Sequence, residues 1–165
     1  HEISHGFDDS GSRYNAEGNL INWWSDEDLK QFTGLGSALA DQYSSLEPLP
    51  GIFVDGKFTL GENIGDLGGV NAAYDGLQIH LKANGNPGLI DGFTAEQRFF
   101  ISWATIWRSK MRDEAIKNQV KTDPHSPGMY RAYVPLQNVE AFYKAFNIQP
   151  NNGMYVAPDK RVKIW

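Results

Sequence analysis

Gly61-Glu62-Asn63-Ile64-Gly65-Asp66-Leu67-Gly68-Gly69-Val70 opens the stretch that decides the fold, and it runs on through Tyr74, Leu77 and Leu81 to Ala83. Ile64, Leu67, Asn71, Tyr74, Leu77 and Leu81 recur at three- and four-residue steps, the period of one helix face, so a helix is expected from Gly61 to Ala83. Asn84-Gly85 ends it. Four internal glycines, Gly65, Gly68, Gly69 and Gly76, oppose this reading, each being about 0.5–1 kcal/mol worse than Ala inside a helix. A helix that keeps them must recover the difference by packing.

The flanking segments also read as helices joined by Gly- and Pro-rich connections. Ser25 before Asp26, Glu27 and Asp28 is an N-terminal helix signal, and Leu29, Phe32, Leu39, Tyr43 and Leu46 keep helical spacing until Pro48. Residues 52–60, around Asp55-Gly56, read as a loop rather than a hairpin. Thr94 with Gln97 forms a capping box for a helix through Phe99, Phe100, Trp103, Ile106 and Trp107, aromatic enough to be the central core element. Another helix is expected from Asp113 to Lys121, then a loop from Asp123 to Gly128. Asn138 is expected to cap a last helix through Phe142 and Phe146, before an irregular tail ending at Trp165. No internal repeat appears, and the class is mainly α.

With 165 residues, 41% of them hydrophobic, the chain can bury one core and has no room for a second large one. Its 15 basic and 20 acidic residues leave a formal charge of −5 with no basic run, which argues against nucleic acid as a partner. No apolar stretch approaches the roughly 18 residues of a membrane-spanning helix. There is no cysteine, so any zinc site must be built from histidines and carboxylates.

His1-Glu2-Ile3-Ser4-His5 is such a pattern, H-E-x-x-H. On a helix, positions i and i+4 share a face, so both imidazoles can bind one Zn²⁺, with Glu2 beside it. A catalytic zinc needs a third protein ligand and an open position for water. Glu62 is the candidate ligand, and Asp66, one helical turn on, can accept the Nδ1 proton of a ligating imidazole. The competing reading is a non-catalytic module, either a metal-binding remnant or a helical interaction domain with idle histidines.

Several blocks extend the pattern: His1 through Gly11, Trp23-Trp24, Leu60 through Gly69, Asp123-Pro124-His125-Ser126-Pro127-Gly128 with Arg131, and the ending Pro158 through Trp165. In content and order they resemble the C-terminal portion of zinc endopeptidases of the neprilysin and endothelin-converting enzyme family. Animal members carry a cysteine where this chain has Val162, so the likeness is to a bacterial-type member.

The resemblance implies the C-terminal helical part of a thermolysin-like (gluzincin) metallopeptidase catalytic domain, covering residues 1–165. It implies zinc-dependent hydrolysis of peptide bonds in oligopeptides, with one Zn²⁺ per chain held by His1, His5 and Glu62. Glu2 matches the general base, Asp66 the acid that orients His1, and His125 the histidine that stabilises the transition state. Arg131 matches the arginine that holds the substrate backbone; Asp123 is expected to orient His125, and Asp8 or Asp9 to support His5. The implied partner is the N-terminal portion of the same protein, which in the family supplies an Asn-Ala substrate-binding strand. On this reading the chain is a fragment, expected to turn over weakly or not at all alone; the sequence does not fix the compartment, and a periplasmic or secreted location is favoured over a cytoplasmic one.

Overall fold

In the computed structural model, residues 1–165 form six α-helices: α1 (Asp26–Ser44), α2 (Leu60–Asn84), α3 (Ala95–Ile106), α4 (Asp113–Thr122), α5 (Gly128–Tyr133) and α6 (Glu140–Phe146). Short 3-10 segments occupy Glu2–Phe7, Gly11–Arg13, Leu136–Asn138 and Pro158–Lys160. There is no β-strand, only three isolated bridges at turns. None of the helices is long and apolar enough to cross a membrane.

The first half of α2 is the centre of the fold. Asn63 through Gly68 are consecutively buried, which requires neighbours on every side of the helix. Phe32, Leu39 and Tyr43 of α1, Phe100 of α3, Tyr130 of α5, and Phe142 and Tyr143 of α6 form one core with Ile64, Leu67 and Val70. The expectation that α3 would be the central element is corrected: within it only Ala95 and Phe100 are buried, and Ile106 lies exposed. Phe100 carries the contact, stacked on Tyr74 and edge-on to Phe142 at centroid distances of 5.4 and 5.5 Å.

Close packing accounts for three of the five α2 glycines. A Cβ at Gly69 would sit 2.8 Å from the backbone nitrogen of His1, and one at Gly65 3.0 Å from the His1 ring. A Cβ at Gly68 would meet Trp165 and Ser4 at 3.1 and 3.2 Å. This bare face lets residues 1–7 lie directly on the helix, whereas Gly76 faces open space.

Local signals explain the boundaries. The Ser25 hydroxyl accepts the Asp28 N–H at the start of α1, both halves of the Thr94/Gln97 capping box are made, and α2 stops at Gly85 with φ +84°. Three differences from the sequence reading stand out. Residues 2–7 wind as a 3-10 helix instead of the expected α-helix, a form common in single short turns. The helix α5, begun by Pro127, was not anticipated after the Pro/Gly loop. Asn138 does not cap α6, because its amide is taken by long-range bonds: Nδ2 donates to Gln42, and Oδ1 accepts from Gln42 and from the Val162 backbone, leaving Val139 at the cap.

Candidate metal centre

Residues 1–7, the first turns of α2 and the loop 123–127 meet at one edge of the molecule. The His1 and His5 rings are edge to face with centroids 4.8 Å apart, so the 3-10 winding still brings them together. Ligand atoms of His1, Glu2 and His5 lie within 4.8 Å of one another. Glu62 reaches the same point from α2: its Oε2 is 3.2 Å from His1 Nε2 and its Oε1 3.6 Å from His5 Nε2. His125 arrives from the loop, with Nε2 3.1 Å from Glu62 Oε2.

The far side of each imidazole is held by an aspartate. His5 Nδ1 is 2.8 Å from Asp8 Oδ2, while Asp8 Oδ1 accepts the backbone N–H groups of Ser10 and Gly11. Asp9 makes no such contact, and burial next to Asp8 pushes its carboxyl above the usual range. His1 Nδ1 lies 2.9 Å from Asp66 Oδ1, close without being aligned as a full hydrogen bond. That contact is the main reason the His1 pKa is raised, against the opposing effect of burial.

His125 is held by Asp123, whose Oδ1 accepts the His125 backbone N–H at 2.9 Å and faces Nδ1 at 2.6 Å. The backbone bond is the largest cause of the lowered Asp123 pKa. Arg131, on α5, directs Nε and Nη2 onto Asp66, stacks 4.2 Å above the Trp107 ring, and has no partner among protein groups for Nη1.

The donor chemistry fits zinc. Two imidazoles fixed at Nδ1 by carboxylates turn their Nε2 atoms toward a third carboxylate, a His-His-Glu set that leaves room for a fourth position. Seven of the residues singled out from the sequence, His1, Glu2, His5, Glu62, Asp66, His125 and Arg131, are thus gathered in one place, with Asp8 and Asp123 behind two of the rings. None of the seven lines the concavity of about 710 Å³ between α1 and residues 9–24. Sequence reasoning missed the Trp107 platform and a buried link from Asn63 to Ser126. The only signal for that link was adjacency, each partner being next to a residue already suspected.

Residues 1–162 match the model of Peptidase family M13. Over its whole length the chain is 38% identical to neprilysin of Homo sapiens, covering 22% of that protein, and 37% identical to the neutral endopeptidase of Lactobacillus helveticus, covering 24%. The zinc metalloprotease Zmp1 of Mycobacterium tuberculosis, solved with an inhibitor, superposes with a TM-score of 0.95 at 44% identity over 99% of this chain and 26% of that one. PepO of Lactobacillus rhamnosus gives 0.86 at 40% identity, over 99% and 24%. The chain therefore spans about a quarter of the length of these relatives. On a family match through residue 162, with the helical architecture of its solved members, this chain belongs to peptidase family M13.

Proposed function

We propose that these residues are the zinc-binding part of a metalloendopeptidase that cleaves peptide bonds in oligopeptides. One observation carries the reading: the Nε2 atoms of His1 and His5 and both oxygens of Glu62 face each other, with Asp66 and Asp8 behind the rings. His1, His5 and Glu62 would hold the ion, and a zinc so bound supplies Lewis acidity that polarises a carbonyl and acidifies water.

The remaining residues divide the proton and charge work. Glu2, exposed beside the two rings, takes the proton of the attacking water and returns it to the departing amine. His125, its Nδ1 side fixed by Asp123, presents Nε2–H to the carbonyl oxygen as negative charge builds there. Asp66 keeps the proton of His1 on Nδ1, so that Nε2 keeps its lone pair. Arg131 offers Nη1 to a substrate backbone carbonyl, and by family likeness the residue after the scissile bond is hydrophobic.

Because the relatives are about four times longer, the site needs the rest of the protein to close over a peptide, and the 165 residues alone should bind zinc with little turnover. The test is hydrolysis of a fluorogenic peptide by the full-length protein and its Glu2→Gln variant. The variant should retain zinc and lose about 10²–10⁴ in rate; wild-type turnover by Glu2→Gln would refute the assignment.

A further inference from the structure

Thr59, Asn63 and Ser126 form a chain of side-chain hydrogen bonds running in one direction. Ser126 Oγ donates to Asn63 Oδ1 at 2.9 Å, Asn63 Nδ2 donates to Thr59 Oγ1 at 3.0 Å, and Thr59 Oγ1 donates to the Asp55 carbonyl at 3.0 Å. Asn63, Ser126 and Thr59 are 0%, 1% and 3% exposed, so no water competes for these bonds. Polar groups this deep are costly unless satisfied, and here each hydroxyl and amide supports the next.

The placement gives the chain of bonds its meaning. Asn63 follows Glu62 on α2, and Ser126 follows His125 in the loop 123–127. Asp123 fixes the His125 ring, but it lies two residues away in the same loop and moves with it. A contact made within a loop cannot set where that loop stands against a helix. The Ser126–Asn63 bond does, tying the residue beside His125 to the residue beside Glu62. Gln119 Nε2, at 3.4 Å from the His125 carbonyl, steadies the same loop from α4.

We infer that Ser126, Asn63 and Thr59 are positioning residues that hold the His125 imidazole at its working distance from the Glu62 carboxylate. The inference rests on the proposed hydrolytic role of His125. It requires that weakening the tether harm catalysis through His125 and leave the metal ligands intact.

The experiment is a double-mutant cycle in the full-length protein. Ser126→Ala should lower kcat on a fluorogenic peptide by about tenfold or more, with KM changed less than about twofold and zinc content unchanged. In a His125→Ala background the same substitution should cost nothing further, because a residue acting through another has no effect once the other is gone. Thr59→Val, close to isosteric and so less disruptive to folding, should give a smaller loss with the same dependence on His125. Unchanged kcat in both single variants, or full additive losses in the His125→Ala background, would overturn the inference.

A crystal structure of the Ser126→Ala protein supplies a readout independent of turnover. The His125 ring should leave its place beside Glu62 or spread over several positions, while His1, His5 and Glu62 stay as they are. An unmoved, well-ordered His125 ring would overturn the tether even if the protein proved to hydrolyse nothing. A wild-type protein that binds zinc and cleaves no peptide would instead sink the enzymatic reading and leave the ring placement to decide the tether.

Discussion

Arg131 grips Asp66 with two parallel hydrogen bonds, Nε to Oδ2 and Nη2 to Oδ1, each 2.8 Å long. Asp66 is 1% exposed, and the oxygen that accepts from Nη2 is the one that stands 2.9 Å from His1 Nδ1. One buried carboxylate therefore joins a guanidinium from α5 to an imidazole at the start of the chain. The guanidinium also lies over the Trp107 indole, so its plane is set from both sides.

Removing the guanidinium should be destabilising because it strands that carboxylate. Arg131→Ala is expected to lower stability by about 3–5 kcal/mol, the usual cost of breaking one side of a buried ion pair. Arg131→Lys keeps the charge and loses the two-pronged geometry, so its loss should be smaller and still clear. Denaturant melts of the two variants check this, and a wild-type midpoint for Arg131→Ala would contradict it.

Zinc affinity should grade with distance from the metal. Glu62→Ala removes one of the three proposed ligands and should abolish stoichiometric zinc under mild dialysis. Asp8→Ala removes only the group behind His5 Nδ1, and losses of that kind weaken metal binding by about 10–100-fold. Chelator competition with elemental analysis separates the two. Equal affinity in wild type and Glu62→Ala would remove Glu62 from the ligand set.

The pH dependence follows from His1. Its pKa lies above the ordinary 6.5, mainly through the Asp66 contact at Nδ1 and partly offset by burial. A raised pKa in the folded state means that protonated His1 stabilises the metal-free protein, fully below pH 6.5 and no longer once pH has risen through the folded value. Zinc needs the neutral ring, so proton and metal compete. Zinc affinity should fall as pH is lowered, beginning above 6.5 rather than at it. Isothermal titration across the range checks this; a flat affinity from about pH 8 to about pH 5 would exclude imidazole ligation.

What could be read from the sequence was whatever depends on local spacing. The caps at Ser25 and Thr94, the glycine stop at Gly85 and the i, i+4 relation of Glu62 to Asp66 are all encoded within a turn or two. What could not be read depends on partners far away in the chain. Asn138 looked like a cap until Gln42 and Val162 claimed its amide, and α3 looked central until the burial of α2 showed where the layers meet. Of the candidate site, His1, Glu2, His5, Glu62 and Asp66 were singled out by metal-ligand spacing, whereas His125 and Arg131 were named through the family resemblance, and the fold brings all of these side chains to one edge. The fork of Arg131 on Asp66 spans 65 positions, and no spacing rule announces it.

The glycines of α2 offer a test in which two identical substitutions on one helix should have opposite signs. Gly76 faces open space within a regular helix, so Gly76→Ala should stabilise by about 0.5–1 kcal/mol through the reduced freedom of the unfolded chain. Gly69 has the same secondary structure, but a Cβ there would stand 2.8 Å from the His1 backbone nitrogen and 3.1 Å from its Cα. Neither is the end of a flexible side chain, so residues 1–7 would have to lift from α2. Gly69→Ala should therefore lower the thermal midpoint and weaken zinc binding together, because His1 and His5 move away from Glu62. A Gly69→Ala protein as stable as Gly76→Ala, with zinc affinity unchanged, would show that the bare face of α2 does not set the height of His1 and His5 above Glu62.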